Sequence, residues 1–184
     1  IEVSDDFFGE ASRMLDDKEP VFIEDKYDEH GKWMDGWESK RRRDGGNDWA
    51  IIELGSPGII SEVDIDTSFF TGNFPPFASI EGLYSDQKPN KDSDWIEIIS
   101  KTSLKGDSSN KFNIQSKSKV NYIKLQIFPD GGVARLRLFG EVKLDWDIYN
   151  NKKDLIELSS LKLGGSIIAY NNAHYGDVSA LLSD

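Results

Sequence analysis

The sequence predicts an all-β protein, an antiparallel two-sheet sandwich of the jelly-roll kind, and three observations carry that expectation. Short runs rich in Ile, Val, Phe and Trp alternate apolar and polar residues in period two. Clusters of Gly, Pro, Asn and Asp fall between them, which is the chemistry of turns. The runs are many and short, as two packed sheets require.

Taken in order, Phe7 to Leu15 reads as a short helix that Ser4 or Asp5 can cap with a side-chain oxygen. Strands are expected over Trp49 to Leu54, Ile59 to Asp66, Ala78 to Tyr84, Trp95 to Ile99, Lys111 to Ile114, Asn121 to Phe128 and Val133 to Val142. Alternation puts Val63 and Ile65 on one face of the second strand and Glu62, Asp64 and Asp66 on the other. In Asn121 to Phe128, Ile123, Leu125 and Ile127 point inward, joined by Leu136 and Leu138 from the next strand. Tyr122, Lys124 and Gln126 point outward, as in an antiparallel sheet with one wet face. The polar loop from Ser85 to Asp94 belongs at the surface. Pro129-Asp130-Gly131-Gly132 is a turn, because proline fixes φ and the glycines accept positive φ.

The end of the chain overlays its beginning. Ile1 to Asp17 lies on Ile168 to Asp184 with Ile, Gly, Ser, Leu and the final Asp coincident, and most other pairs keep apolar or polar character. Such self-similarity marks a repeat architecture, and a whole protein of two units would run to about 330 residues. The expected organisation is a first repeat at 1–144 without its opening strand, an inter-repeat linker at 145–160, and the truncated start of a second repeat at 161–184. Ile1 is not a natural start, so the true N-terminus is expected upstream.

Composition excludes several classes. The 184 residues are 38% hydrophobic and 11% aromatic, which suits a soluble globular domain with a sizeable core. No apolar run reaches the roughly 18 residues that a membrane helix needs. A net charge of −11 argues against nucleic acid and anionic membrane as partners, since both demand a basic surface. The absence of cysteine removes a disulfide framework and a thiolate zinc site, and it fits a reducing compartment, so a cytoplasmic location is expected.

The stretch richest in chemistry is Trp33-Met34-Asp35-Gly36-Trp37-Glu38-Ser39-Lys40-Arg41-Arg42-Arg43, closed by Asp48-Trp49. Aromatic walls, arginine forks and an acid are what a small polar anion needs. The bland reading of Lys40 to Arg43 is a solvated loop; its tryptophan neighbours favour an anion-binding patch. Glu62, Asp64 and Asp66 on one strand face repel each other, and arginines from Lys40 to Arg43 are the favoured partners, with a solvated outer face as the plain reading. The loop Thr67-Ser68-Phe69-Phe70-Thr71-Gly72-Asn73-Phe74-Pro75-Pro76 crowds hydroxyls, an amide and aromatics in the manner of a ligand-binding loop, although turn chemistry also explains Gly72 and the prolines.

These residues carry a resemblance. Asp35-Gly36-Trp37-Glu38-Ser39-Lys40-Arg41, Asp48-Trp49, Val63 through Asn73, Pro76 with Ile80-Glu81, and Phe128-Pro129-Asp130-Gly131-Gly132-Val133-Ala134-Arg135 are similar, in order and spacing, to the allantoicase family. Ala173-His174-Tyr175-Gly176 looks like the opening of that family's second half. The resemblance implies two repeated jelly-roll domains of the galactose-binding type, hydrolysis of allantoate to ureidoglycolate and urea in purine breakdown, and a homo-oligomer. Two departures stand out. The chain stops at Asp184 before a second Trp-Glu-Arg segment, so a site needing both halves would leave this fragment inactive. Asn171-Asn172 replaces the family's usual serine–aspartate pair.

Allantoate is a carboxylate whose α-carbon bears two ureido groups, so its hydrolysis needs a grip on the carboxylate, a proton for the departing nitrogen, and water. Arg41 is the expected carboxylate fork, with Arg135 as second candidate and Trp37 as a wall. Glu38 is the expected acid/base, its pKa raised by the neighbouring tryptophans. Asp64, Asp66 and Asn73 are expected to hold the ureido groups and orient water. Each has a structural reading too: Asp48 and Asp66 as turn caps, Trp33, Trp37 and Trp49 as core. His30 and His174 offer no ligand spacing, so no metal and no cofactor are expected. The alternatives are a non-catalytic jelly-roll module binding carbohydrate or protein, and a degenerate repeat that builds an oligomer.

Overall fold

The computed structural model describes residues 1–145, 157–174, 176 and 178–183. Eleven strands follow in order: β1 Glu2–Val3, β2 Tyr27–Asp28, β3 Gly31–Lys32, β4 Trp37–Glu38, β5 Asp48–Asp66, β6 Phe77–Leu83, β7 Ile96–Ser103, β8 Ser109–Asn113, β9 Lys119–Phe128, β10 Gly132–Val133 and β11 Arg135–Val142. Short 3-10 helices occupy Ala11–Leu15, Leu161–Leu163 and Val178–Leu182, and there is no α-helix among the described residues. No described helix is long and apolar enough to cross a membrane.

All pairings are antiparallel; β4 pairs with β10 and β2 with β3 as separate ribbons, and the remaining strands form two layers that share β5. The first half of β5 pairs with β1 and β9, and the order continues through β6 to β7. The second half pairs with β11 on one side and β8 on the other. The inner faces meet in one core. Ala50, Ile52, Ile80, Ile123, Leu125 and Ile127 come from the larger layer, and Ile60, Val63, Ile65 and Leu136 from the smaller. Each Val, Leu or Ile side chain buried there contributes about 1.5–3 kcal/mol relative to exposure. The inward set read from the alternation is the observed one, with Leu138 half-buried against the core. The all-β jelly-roll class holds.

Four local expectations are corrected. The helix at Phe7 to Leu15 shrinks to a 3-10 turn at Ala11–Leu15 with no side-chain cap. Ser4 instead donates from Oγ to Asp48 Oδ1 at 2.8 Å and accepts the Trp49 N–H at 2.9 Å, so it fastens β1 to β5. The two strands expected on either side of Gly55-Ser56-Pro57-Gly58 are one. The ladder with β9 is interrupted between Glu53 and Gly58, where the missing N–H of Pro57 costs nothing, and the Pro57 carbonyl accepts from Lys143 N. The run Val133 to Val142 is split at Ala134, whose N–H turns aside to Asp66 O. The face of β9 expected to be wet is largely covered. Tyr122 and Lys124 are buried, and the Lys124 ammonium contacts Glu81 at 2.5 Å, the Lys91 carbonyl at 3.1 Å and the Trp95 ring. The loop from Ser85 to Asp94 is at the surface with only Pro89 buried. Most of the expected linker at 145–160 falls outside the described residues, as do Tyr175, Asp177 and Asp184.

Candidate active site

The site is built where β4 meets β10 at one end of the sandwich. Trp37 is fully buried in the core and its indole N–H donates to Asp5 O at 2.8 Å. Strand alternation then turns Glu38, the next residue, outward. Its backbone is held from two sides, by Gly132 of β10 and by an isolated bridge to Gly9. A β-carbon on Gly9 would stand 2.5 Å from Gly36 O, so only glycine admits that approach. Beyond Glu38 the chain stays strapped down: Ser39 N donates to Gly131 O, Gly131 N to Ser39 Oγ, and Arg42 N to Asp130 Oδ2 at 2.7 Å. On the opposite flank Lys40 N donates to Asp5 Oδ1 and its ammonium pairs with the same carboxylate.

The third segment arrives through Gly131. Its φ of +137° is a conformation that side chains resist, and a β-carbon would lie 2.7 Å from Asn73 O. Gly132 N donates to that carbonyl at 2.8 Å, which draws the 72–76 loop against the turn. Asn73 then donates from Nδ2 to Glu38 Oε1 at 2.7 Å. Between the three segments lies a cleft of about 380 Å³, lined by Phe8, Glu38, Arg41, Asn73, Phe74 and Asp130 among others.

Its electrostatics follow from burial and pairing. The Glu38 carboxyl titrates above the ordinary glutamate value, first because burial penalises the carboxylate and then because Asp28 repels it, while the Asn73 amide pulls the other way. The desolvating walls of this cleft are Phe8, Phe74 and the prolines. The tryptophans expected in that role are elsewhere: Trp37 is in the core and Trp33 lies under Lys26 and Arg13. The Arg42 guanidinium is spoken for. It forks onto Asp44 through Nε and Nη2 at 3.0 and 2.7 Å, and Nη1 reaches Asp48 Oδ1 and Asn47 O. This holds Asp44 below, and Arg42 itself above, their usual ranges. Arg41 forms no ion pair among the described residues, is exposed, and lines both the cleft and an adjoining hollow with Lys40 and Arg43.

Of the residues singled out in the sequence, Glu38, Arg41 and Asn73 come together. Trp37, Asp64, Asp66 and Arg135 do not line the cleft. Arg135 is 1% exposed, and its guanidinium donates to the carbonyls of Arg13, Lys18, Asp35 and Ala134 and to Asp35 Oδ2. Asp66 is buried and accepts the Ser68 N–H, closing the turn after β5. Asp64 accepts from Ser109 Oγ, and its register neighbours are Lys111 of β8 and Arg137 of β11. No ion pair reaches Glu62, Asp64 or Asp66 among the described residues, and Asp64 Oδ1 is buried without a hydrogen-bond partner; of the expected partners, Lys40 pairs with Asp5 and Arg42 with Asp44 and Asp48 instead. Phe8 and Asp130 join the cleft without being expected there. Phe8 lies in a run with helical patterning and Asp130 in turn chemistry; the hydrogen bond from Phe8 N to Glu38 O brings in the first, and the antiparallel run of 37–42 along 130–133 the second. His30 packs against Phe7, and no metal-holding group of three or more acids, His or Cys occurs among the described residues.

The family described as "Allantoicase repeat" matches residues 1–143. "Probable allantoicase 1" of Burkholderia mallei is 45% identical over 183 residues, covering 99% of this chain and 54% of that protein. The crystal structure of allantoicase from Saccharomyces cerevisiae superposes with a TM-score of 0.73 at 31% identity, over 99% of this chain and 54% of that one. A chitosan-binding module of a Paenibacillus chitosanase/glucanase shares the fold alone, at TM-score 0.55 and 16% identity over 76% of this chain and 92% of the module. The chain spans about half the length of the curated relatives it matches.

Proposed function

The chain belongs to the allantoicase family, and on that premise we propose that the protein carrying it hydrolyses allantoate to ureidoglycolate and urea. The observation that supports this most is the cleft itself, where a desolvated acid, Glu38, faces the same space as an arginine, Arg41, that pairs with no acid among the described residues. Arg41 receives the substrate carboxylate as a fork of donors. Asn73 presents an amide to the ureido groups and fixes Glu38 by its hydrogen bond. Glu38, whose carboxyl burial biases toward the protonated form, gives its proton to the departing nitrogen, so that urea leaves as a neutral molecule. Asp64, Asp66, Trp37 and Arg135 act from outside the cleft in this reading, by holding the strands that carry it. No step calls for a cofactor.

The reading extends to the whole protein. Two jelly-roll repeats are joined by the segment at 145–160, with residues 161–184 opening the second. The 3-10 helices at Ala11–Leu15 and Val178–Leu182 support this, because the overlay of the two ends of the chain places one on the other residue for residue. The protein works as a homo-oligomer in the cytoplasm. Val21, Phe22 and Ile23, about half exposed on one segment, support the first point, and the lack of cysteine the second. The test is urea release from allantoate by the full-length protein. Allantoate-dependent urea with ureidoglycolate as co-product is expected; no urea above the spontaneous rate overturns the reading.

A further inference from the structure

We propose that Asp130 is the second catalytic carboxylate of the cleft, the base that takes a proton from the attacking water while Glu38 supplies one to the departing nitrogen. The assignment rests on the allantoate reading and deepens it. Replacing a C–N bond by a C–O bond needs both an acid and a base. Glu38 and Asp130 are the two carboxylates that line the cleft.

Their surroundings suit opposite tasks. Asp130 accepts the Arg42 N–H at Oδ2, and its Oδ1 has no hydrogen-bond partner among the described residues, which leaves one oxygen open to a water. Arg41 lines the same cleft and forms no ion pair among the described residues, while the Arg42 guanidinium is held by Asp44 and Asp48. Of the other charges on that segment, Lys40 pairs with Asp5 and Arg43 lines the adjoining hollow. Glu38 faces Asn73, with Asp28 of β2 the other acid acting on it. The side chain is also well placed to stay put. Asp48 N donates to Pro129 O just before it, and Gly131 N to Ser39 Oγ just after it. Asp64 and Asp66 cannot serve instead, because neither lines the cleft.

The step balances. Water loses a proton to Asp130 and its oxygen bonds to the α-carbon. The C–N bond breaks with its electron pair on the departing nitrogen, which takes the proton of Glu38. Ureidoglycolate and urea result, and both carboxyls return to their starting states by exchange with solvent.

The test is the pH dependence of urea release by the full-length protein and its variants. Wild type should give a bell in kcat/KM, with an acid limb from Asp130 and an alkaline limb from Glu38. Asp130→Asn retains an oxygen to accept the Arg42 N–H, and should lower kcat by about 100-fold or more and abolish the acid limb. Asp130→Ala should regain turnover in proportion to added formate, which a purely structural role would not allow. Both limbs kept in Asp130→Asn, or no rescue of Asp130→Ala by formate, overturns the assignment. Failure of wild type to release urea would instead overturn the substrate reading, and this assignment with it.

Discussion

The Asn73 side chain donates to the Glu38 carboxylate across a sequence separation of 35 residues, at 2.7 Å. The contact stabilises the ionised form of an acid that burial pushes toward the neutral form. The two effects oppose each other, and their balance sets the pH at which Glu38 holds its proton. Removing the amide therefore has a definite sign. Asn73→Ala should move the alkaline limb of kcat/KM to higher pH, since only the lowering influence is lost. A limb that stays in place or moves down would show that the hydrogen bond does not govern Glu38.

Glu38→Gln keeps shape and the contact with Asn73 but carries no titratable proton. It should cut kcat by on the order of 100-fold or more with KM little changed. It should also raise stability at neutral pH. The folded pKa of Glu38 lies above its unfolded value, so the folded state binds the proton more tightly. The stabilisation is complete below the unfolded value and lost as pH rises through the folded one. The gain in Tm on substitution should accordingly shrink as pH falls, which thermal melts at neutral and acid pH will check.

Arg41 and Arg42 are adjacent but should fail differently. Arg41→Ala removes a cation that has no ion pair among the described residues and should mainly raise KM, leaving Tm near wild type. Arg42→Ala strips Asp48, which is buried, of its charged partner, and should cost about 1.5–3 kcal/mol of stability. Steady-state kinetics beside denaturant titrations separate the two.

Arg135→Met should destabilise the fold by about 3–5 kcal/mol, because it leaves the Asp35 carboxylate and a ring of buried carbonyls without their donor. Urea unfolding monitored by tryptophan fluorescence measures this directly. A variant as stable as wild type would mean that these groups find other partners.

Much of the fold was legible because strand alternation is a local signal. Val63, Ile65, Ile123, Leu125 and Ile127 declare their face whatever lies across from them. What was misread depended on distant chain. Gly55-Ser56-Pro57-Gly58 has turn chemistry, yet the strand runs on, since the break in the ladder removes the need for a proline N–H. Lys124 looks solvent-facing until Trp95 and Glu81 close over it. The candidate site divides in the same way. Glu38, Arg41 and Asn73 were visible as polar residues with nothing nearby to satisfy them. Arg135 looked identical on that criterion, but its partners lie at Arg13, Lys18 and Asp35, around a hundred residues away in sequence, which no reading of the local motif can supply.

Because β5 runs through both layers, the two sheets have a covalent member in common. They cannot slide over each other without stretching or bending that backbone, so shear between layers, a frequent soft mode of sandwiches, is locked out. Opening either sheet must loosen the other. The amides of β9, which lean on the first half of β5, and those of β11, which lean on the second, should then exchange with deuterium through one common opening. The cleft sits on the end of a body that yields as a whole or not at all.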